Sequence, residues 1–357
     1  MQEKHGKHFA QQKKTTRNFL IKLIKHKTRK QKCMVDLSII IPAYNMEKYI
    51  LRSINSALIQ NGIEIEIIVV NDGSSDSTRF IVEDIQSRDK RVKLINQSNQ
   101  GLYRARSKGV KYSKGKYITF IDADDYIDEN FYSDLIVKMK DEKIDILEFG
   151  YRKVNGTEIL YEERFHEGHK DRIEAAKTVI TKFNSSCSNC NKIYSAFCLK
   201  SHTFDENIRM YEEDMLINLK AMSVIDKYYT ANAIGYNYSC RENSITTAQK
   251  SIKILDVLDT WECIYDFVKE NFPQVLTVCA MTYCARLALY YCIADQITKN
   301  PKEYVRLIQR FKDIFNENNL RLYDFRYESK NRIVMIKLFS FSPQLCSFIY
   351  RIRNPRI

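Results

Sequence analysis

Acidic residues at three separate places in this chain have the types and spacing for metal-assisted group-transfer chemistry. The densest group is Asp122, Asp124 and Asp125, which follows the apolar run Tyr117-Ile-Thr-Phe-Ile121. Carboxylates at i and i+2 beyond a strand can share one hard cation and leave positions for water and phosphates. Such a cation can neutralise charge on a departing diphosphate. The alternative interpretation is an acidic helix start, because Asp stabilises the first turn of a helix.

A second acidic position follows another apolar run. Asp72 lies in the turn Asn71-Asp-Gly-Ser-Ser-Asp76, directly after residues 65–70. Its ionised side chain can accept a hydrogen bond from an N–H group of a nucleotide base. The same residue types also form ordinary turns, so this position alone does not define a site.

The loop Asn99-Gln-Gly-Leu-Tyr-Arg-Ala-Arg106 opens a predicted helix. Its small residues Gly101 and Ala105 permit a close approach of the backbone to a ligand. Either Arg104 or Arg106 can meet a phosphate at this helix start.

A third acidic pair, Glu213 and Asp214, lies in the segment Arg209-Met-Tyr-Glu-Glu-Asp-Met215. A carboxylate there can act as the general base that deprotonates a hydroxyl group. The alternative is again an acidic first turn, here of a helix over residues 215–222.

Four apolar, β-branched runs precede these polar groups and predict buried strands. Pro42 is expected to end the first strand, and Asn45 to cap the following helix. Helical spacing after each run predicts alternating strands and helices. The predicted strands are Leu37–Ile41, Ile65–Val70, Val92–Ile95 and Tyr117–Ile121.

This alternation predicts an α/β fold with a mostly parallel sheet that helices cover on both faces. Ligands bind such sheets at the carboxyl ends of the strands, where the acids lie. Residues 151–161, around Asn155-Gly156, predict a hairpin. A less regular segment is expected to run to Tyr238, and the chain beyond Ile252 is predicted to be helical.

In combination and order, these segments resemble the family 2 glycosyltransferases, which have a nucleotide-sugar-binding, Rossmann-like GT-A fold. The resemblance covers about residues 36–245. It depends on four motifs: Ile39-Ile-Ile-Pro-Ala-Tyr-Asn45, Val69-Val-Asn-Asp-Gly-Ser-Ser-Asp76, Asn99-Gln-Gly-Leu-Tyr-Arg-Ala-Arg106 and Phe120-Ile-Asp-Ala-Asp-Asp125.

The resemblance implies that Pro42, Tyr44 and Asp72 frame the nucleotide base. Asp122 and Asp124 would be the family's metal and ribose carboxylates, and Asp125 could share the metal, either Mn²⁺ or Mg²⁺. The implied nucleotide-sugar site also includes neighbouring positions of the four motifs, namely Asn45, Gly73, Asn99, Gly101, Arg106 and Ala123.

The resemblance further implies that Asp214 is the base, with Glu213 as its neighbour. Arg241 and Ser244 match a segment that closes over the diphosphate, the alternative being surface roles. Lys192, in Asn191-Lys-Ile-Tyr194, is a weaker candidate for contact with acceptor or phosphate.

The function that the resemblance implies is inverting transfer of a sugar from a nucleotide sugar, expected to be UDP-linked. The acceptor would be a hydroxyl of a glycan or lipid-linked glycan in cell-surface polysaccharide synthesis. The alternative is a catalytically inactive nucleotide-sugar-binding or scaffold protein of the same fold.

Charge divides the chain into regions. Its 57 Lys and Arg exceed its 44 Asp and Glu, which gives a formal net charge of +13. Residues 1–35 carry +10 and residues 330–357 carry +6, so the region between them is mildly acidic. We therefore expect a basic arm at 1–35, a GT-A domain at 36–248, a helical region at 249–329 and a basic amphipathic tail at 330–357.

The two basic ends contain apolar residues, in 18–24 and in 333–350. This composition predicts helices that lie on an anionic membrane surface, although the tail could also pack on the domain. The arms lack interleaved aromatic residues, so we expect no nucleic-acid partner. Without a clear signal peptide or membrane span, the expected location is the cytoplasm, on the inner face of the cell membrane.

Overall fold

The computed structural model describes residues 35–182, 185–201, 204, 213–240, 256–297, 301–320 and 330–354. The predicted arm, the boundary near residue 248, Arg241 and Ser244 therefore lie outside the described residues.

Ten strands in this part of the chain form one sheet. Their order is β3-β2-β1-β4-β9-β6-β10-β5, with β7 beside β6 and β8 beside β10. The strands are β1 (Leu37–Ala43), β2 (Ile65–Asp72), β3 (Val92–Gln97), β4 (Tyr117–Phe120), β5 (Tyr126–Ile127), β6 (Ile146–Asn155), β7 (Glu158–Glu163), β8 (Gly168–Lys170), β9 (Lys192–Ser195) and β10 (Tyr228–Ser239).

Twelve α-helices are described. They are α1 (Ile50–Leu58), α2 (Thr78–Arg88), α3 (Leu102–Tyr112), α4 (Phe131–Glu142), α5 (Arg172–Thr181), α6 (Ala196–Lys200), α7 (Glu213–Met222), α8 (Asp256–Asn271), α9 (Leu276–Ile297), α10 (Pro301–Glu317), α11 (Lys330–Phe341) and α12 (Pro343–Arg353). The helical character predicted for the C-terminal region is confirmed.

The four strands predicted from apolar runs form the parallel half of the sheet, with β1 between β2 and β4 and β3 outside β2. Every residue of β1, β2 and β4 is buried. Continuous apolar runs are typical of strands that helices cover on both faces. The predicted hairpin is also confirmed, because β6 and β7 pair antiparallel across Asn155 and Glu158.

Two predictions for the end of β1 are wrong. Pro42 does not end the strand, which continues to Ala43 and pairs with β2 there. The β4 ladder stops at Ile40, so the strand has a partner on one side only at Pro42, where a missing N–H group is tolerated. Asn45 does not cap α1, which begins at Ile50. It has φ of +53° and lies in a turn instead.

The segment expected to be irregular supplies three strands of the sheet, β8, β9 and β10. The short β9 lies antiparallel between β4 and β6, and β10 runs parallel to β6. A four-residue strand that begins with Lys192 has no apolar run to reveal it. In β10, Asn232 and Asn237 interrupt the apolar pattern. The half of the sheet beyond β4 is therefore mixed rather than parallel.

One helical segment of the described residues, Pro273–Ile293, is long and apolar enough to cross a membrane. However, 78% of its apolar window is buried inside the fold. This segment therefore packs largely inside the fold. The basic tail forms two helices rather than one, since Pro343 occupies the first turn of α12 and Ser342 caps it.

A buried carboxylate connects the parallel strands. Glu66 of β2 accepts hydrogen bonds from Ser38 Oγ of β1 (2.6 Å), Lys93 Nζ of β3 and the backbone N–H of Lys114 before β4. Burial opposes its ionisation, but these hydrogen bonds outweigh burial and lower the pKa of Glu66. Its stabilising effect is therefore complete above the unfolded-state pKa of about 4.3 and is lost as the pH falls through the folded value.

We expect Glu66→Gln to lower the free energy of unfolding at pH 7 by about 1–3 kcal/mol, because charged hydrogen bonds become neutral. The difference from the parent protein should shrink below about pH 4, as measured by denaturant unfolding across pH. Glu83→Gln, which breaks an exposed pair with Arg79, is the control and should change stability by less than about 1 kcal/mol. Equal effects of the two substitutions would contradict this account.

Candidate active site

The parallel strands bring the loops after β1, β2 and β4 to one edge of the sheet. Ala43 of β1 pairs with Asn71 of β2, and the backbone N–H of Ile121 donates to Ile40 at the end of the β4 ladder. The turn containing Asp72 and the Asp122 group therefore both follow carboxyl ends next to β1, where ligands bind such sheets.

Hydrogen bonds join the loops after β1 and β2. The backbone N–H of Asn45 donates to Ser74 Oγ (3.0 Å), and its Oδ1 accepts from the backbone N–H of Ser75 (2.9 Å). The ring of Tyr44 next to this turn is exposed. A polar side chain that tolerates positive φ suits the Asn45 position.

Asp72 holds the loop that leads into α3. Its Oδ1 accepts from Gln97 Nε2 (2.7 Å) and the backbone N–H of Gln100 (2.8 Å), and its Oδ2 accepts from the backbone N–H of Gly101 (2.8 Å). Gly73, at φ of +73°, lets this loop approach, because a Cβ there would lie 2.7 Å from the backbone nitrogen of Asn99. Asp72, Gly73, Asn99 and Gly101 thus form one connected unit.

Arg106 of α3 connects the acids after β4 with the acidic pair at the start of α7. Its buried guanidinium donates from Nη2 to Asp122 Oδ1 (3.0 Å) and from Nη1 to Asp214 Oδ1 (2.5 Å), and Nη1 lies 3.3 Å from Glu213 Oε1. The acids after β4 and at the start of α7, far apart in sequence, therefore meet at one cation.

Burial raises the pKa of two acids beside Arg106. It raises the pKa of Glu213 to about 7, assisted by the charge of Asp214, while Arg106 opposes the shift. Burial also raises the pKa of Asp214, again against Arg106. A carboxylate with a raised pKa is a stronger base than one in water, and perturbed pairs of this kind are typical of functional sites.

Asn189 supports Asp214 and was missed in the sequence. Its Nδ2 donates to Asp214 Oδ1 (2.8 Å), while its Oδ1 accepts from the Tyr194 hydroxyl (3.0 Å) and from Asn218 Nδ2 (2.9 Å). Asn218 lies one turn after Asp214 on α7 and donates also to its backbone oxygen. An uncharged amide in a polar segment gives no spacing signal, so sequence reasoning could not find it.

The three acids after β4 have different environments. Asp122 and Asp124 are partly exposed, on either side of the buried Ala123, whereas Asp125 is buried. Asp125 accepts from the Tyr236 hydroxyl (2.6 Å) and from the backbone N–H of Ser239 (2.8 Å). Each of its oxygens thus accepts one hydrogen bond from β10, so Asp125 is less available to a metal than Asp122 and Asp124 are.

The remaining pair fits a divalent metal only in part. Among the described residues, no group of three or more His, Cys, Asp and Glu is arranged to hold a metal ion. Two partly exposed carboxylates, Asp122 and Asp124, nevertheless supply the hard oxygen ligands that Mg²⁺ or Mn²⁺ prefer. Mg²⁺ is commonly held by one or two carboxylates together with substrate phosphates and water.

A second cation at this edge, Arg52 of α1, was also missed. Its Nη2 donates to the backbone oxygen of Asp124 (2.6 Å) and to Ser239 Oγ (2.8 Å), and its guanidinium lies over the Tyr126 ring. It joins the acid-bearing turn to β10. A single charged residue in α1 gives no spacing signal for this contact.

Lys192 does not face the site. Its buried ammonium group donates to the backbone oxygens of Ser186 (2.6 Å) and Ser188 (2.9 Å) and pairs with Glu148 Oε1 (3.1 Å). The predicted contact with acceptor or phosphate is therefore wrong. Lys192 instead compensates the buried charge of Glu148, which also accepts from the Tyr228 hydroxyl.

Open α/β sheets commonly bind ligands, nucleotides among them, at the carboxyl ends of their strands, where these acids lie. Residues 38–202 match the family described as Glycosyl transferase family 2. This match agrees with the family that the motifs of this region predicted.

Two curated relatives are similar to more than half of the chain. The uncharacterized glycosyltransferase EpsJ of Bacillus subtilis is 32% identical over 216 residues, which are 59% of this chain and 62% of EpsJ. The minor teichoic acid biosynthesis protein GgaB of Bacillus subtilis is 28% identical over 222 residues, which are 60% of this chain and 24% of GgaB. This chain thus spans less than two-thirds of the length of these curated relatives.

The fold has a counterpart among solved structures. A crystal structure of S. aureus TarS residues 1–349 in complex with UDP-GlcNAc has a TM-score of 0.67 and 21% identity. It covers 90% of this chain and 92% of the TarS chain. The predicted α/β fold followed by helices is confirmed.

Replacing Lys192 tests its structural role. Lys192→Met should lower the free energy of unfolding by about 3–5 kcal/mol, because Glu148 is left as an unpaired buried charge. Glu148→Gln in the same chain should recover part of this loss, whereas the exposed Lys111→Met should cost little. A stable Lys192→Met protein with weakened donor or acceptor binding would restore the original prediction. Denaturant unfolding and ligand titration distinguish the two.

Proposed function

We propose that the protein is an inverting glycosyltransferase that moves a sugar from a UDP-sugar to a hydroxyl of a glycan acceptor. The observation that carries the proposal is the Arg106 bridge between Asp122 and Asp214. It supports one cleft with a carboxylate for the diphosphate side of the donor and a second carboxylate for the acceptor hydroxyl. The UDP complex of the structurally similar TarS supports the choice of nucleotide.

Asp214 is the proposed general base. Arg106 and Asn189 both donate to its Oδ1, so Oδ2 is the oxygen left to receive the acceptor proton. Its raised pKa strengthens it as a base, and a positioned base contributes about 10²–10⁴-fold to the rate. With one base and direct displacement at the anomeric carbon, the sugar configuration inverts. Glu213 lies beside the base and can contact the acceptor.

The donor nucleotide is proposed to lie over the loops after β1 and β2. Pro42 and the exposed ring of Tyr44 frame the base. Asp72 Oδ2 accepts one hydrogen bond within the chain and can accept another from a base N–H group. The Asn45 turn, Gly73, Asn99 and Gly101 shape this part of the site. Arg241 and Ser244 remain proposed diphosphate contacts.

Asp122 and Asp124 are the residues proposed to hold Mn²⁺ or Mg²⁺, together with oxygens of the donor. A bound divalent ion would neutralise negative charge on the diphosphate. Asp125, in the same turn, is proposed to anchor the turn to β10 through the hydrogen bonds that Tyr236 and Ser239 donate to it. Arg106, which the sequence placed at a phosphate, is proposed to position Asp122 and Asp214 instead, because its guanidinium is buried among carboxylates.

The acceptor is proposed to be a free or lipid-linked glycan in cell-surface polysaccharide synthesis, on the cytoplasmic face of the membrane. The name of GgaB supports a cell-wall polymer, and the basic C-terminal helices support a location at an anionic surface.

Substitution of the base tests the reaction. Asp214→Asn should lower the transfer rate from the preferred UDP-sugar by about 10²-fold or more, because the proton acceptor is lost. The affinity for UDP should remain nearly unchanged in this variant. A thermal-shift panel of UDP-, GDP- and dTDP-sugars with Mn²⁺ measures this affinity and identifies the preferred nucleotide. The exposed Asp259→Asn is the matched control. Loss of UDP binding in Asp214→Asn would refute the base assignment, and failure of every nucleotide to bind would refute the function.

Arg106→Lys tests the positioning role. Lys keeps the charge but lacks the planar fork that reaches two carboxylates at once. We expect kcat to fall by about 10–100-fold from misplacement of the base, with the donor KM within about threefold. Arg104→Lys, two residues earlier on α3, is the control. A large rise in donor KM with unchanged kcat would instead indicate that Arg106 contacts the phosphate.

A further inference from the structure

The last two helices carry a row of large apolar side chains that face solvent. Leu345, Phe348 and Ile352 follow helical spacing on α12, and Phe341 ends α11 just before them. Their exposed fractions are 38%, 60% and 65%, and 83% for Phe341. Residues at i, i+3 and i+7 lie on one face of a helix, so Leu345, Phe348 and Ile352 form a single stripe, which Phe341 precedes.

The opposite side of the same helices packs on the fold. Ile336, Phe339, Cys346 and Ser347 are buried, and Cys346 Sγ lies 3.8 Å from Cys292 Sγ of α9. These contacts fix the rotation of α11 and α12. The helices therefore already bury one apolar face, and the stripe is a second one that core packing does not use.

Basic residues accompany the stripe. Exposed Lys337 precedes Phe341, and exposed Arg351 and Arg353 flank Ile352. No acidic residue occurs from 330 to the last residue of the sequence. We call Phe341, Leu345, Phe348 and Ile352, with Lys337, Arg351 and Arg353, the basic–apolar face.

We infer that the basic–apolar face binds the surface of an anionic phospholipid bilayer. Apolar side chains of an interfacial helix enter the boundary between headgroups and acyl chains, while neighbouring Lys and Arg contact lipid phosphates. Each basic residue near such a surface strengthens the attraction to it. A second copy of this chain is a poorer occupant, because pairing two such faces would bring basic residues against basic residues.

This inference rests on the peripheral location within the proposed function and gives that location a contact surface. Its test uses vesicles without sugar donor or acceptor. Membrane binding can therefore be absent while the transfer reaction is confirmed, and it can be present while the transfer reaction is refuted.

The first experiment is co-sedimentation of the full chain with phosphatidylcholine vesicles, with and without about 30% phosphatidylglycerol. We expect binding to the anionic vesicles to be at least about tenfold tighter than to the neutral ones. Binding should weaken as the salt concentration rises from about 0.1 to 0.5 M, because salt screens exposed charges. Equal binding to both kinds of vesicle, or to neither, would overturn the inference.

Variants then locate the contact. Phe348→Ser with Ile352→Ser should weaken vesicle binding by about tenfold or more, because two inserted side chains are lost. Phe80→Ser with Ile159→Ser removes two similarly exposed apolar residues outside these helices and should leave binding unchanged. Arg353→Gln with Lys337→Gln should weaken binding to anionic vesicles only. Since all of these side chains are exposed, thermal unfolding should stay near that of the parent.

A dimer is the competing outcome. Light scattering that shows self-association, abolished by Phe348→Ser with Ile352→Ser, would assign the face to a second copy if vesicle binding is also absent. Vesicle binding that survives these substitutions would place the lipid contact elsewhere and overturn the inference.

Discussion

The candidate site depends on a buried cation, the guanidinium of Arg106. A buried arginine is strongly unfavourable unless it is paired, and here its partners come from the turn after β4 and the start of α7. The carboxylates would repel one another without it. One side chain from α3 therefore makes it possible for Asp122, Glu213 and Asp214 to occupy the same small volume.

The balance of charge explains the unusual protonation of this group. One guanidinium faces three carboxylates, so it does not neutralise them all, and burial penalises the excess negative charge. The pKa of Glu213, raised to about 7, reflects this excess. Asn189 adds a hydrogen bond to Asp214 without adding charge. The group is thus organised by the chain, and Asp122 stays partly exposed at its edge.

The parallel half of the fold was predictable, because β1, β2 and β4 are largely apolar runs followed by polar residues, and β3 has a shorter apolar run. The acids were found because their types and order resemble a family. The supporting contacts of Asn189, Arg52 and Tyr236 were not, since each depends on which distant segments meet. Lys192 was misassigned for the same reason. Nothing local shows that its charge is buried beside Glu148 rather than exposed in a cleft.

The chain uses basic residues in two opposite ways. Arg106 and Lys192 are buried, and each is matched to carboxylates from other segments, which fixes the geometry of the domain. In α11 and α12 the basic residues are largely exposed, and no Asp or Glu occurs in residues 330–357. Positive charge that organises a fold must be compensated within it. Positive charge kept at the surface beside Phe348 and Ile352 contributes little to folding, so binding to an anionic surface accounts for it better than packing does.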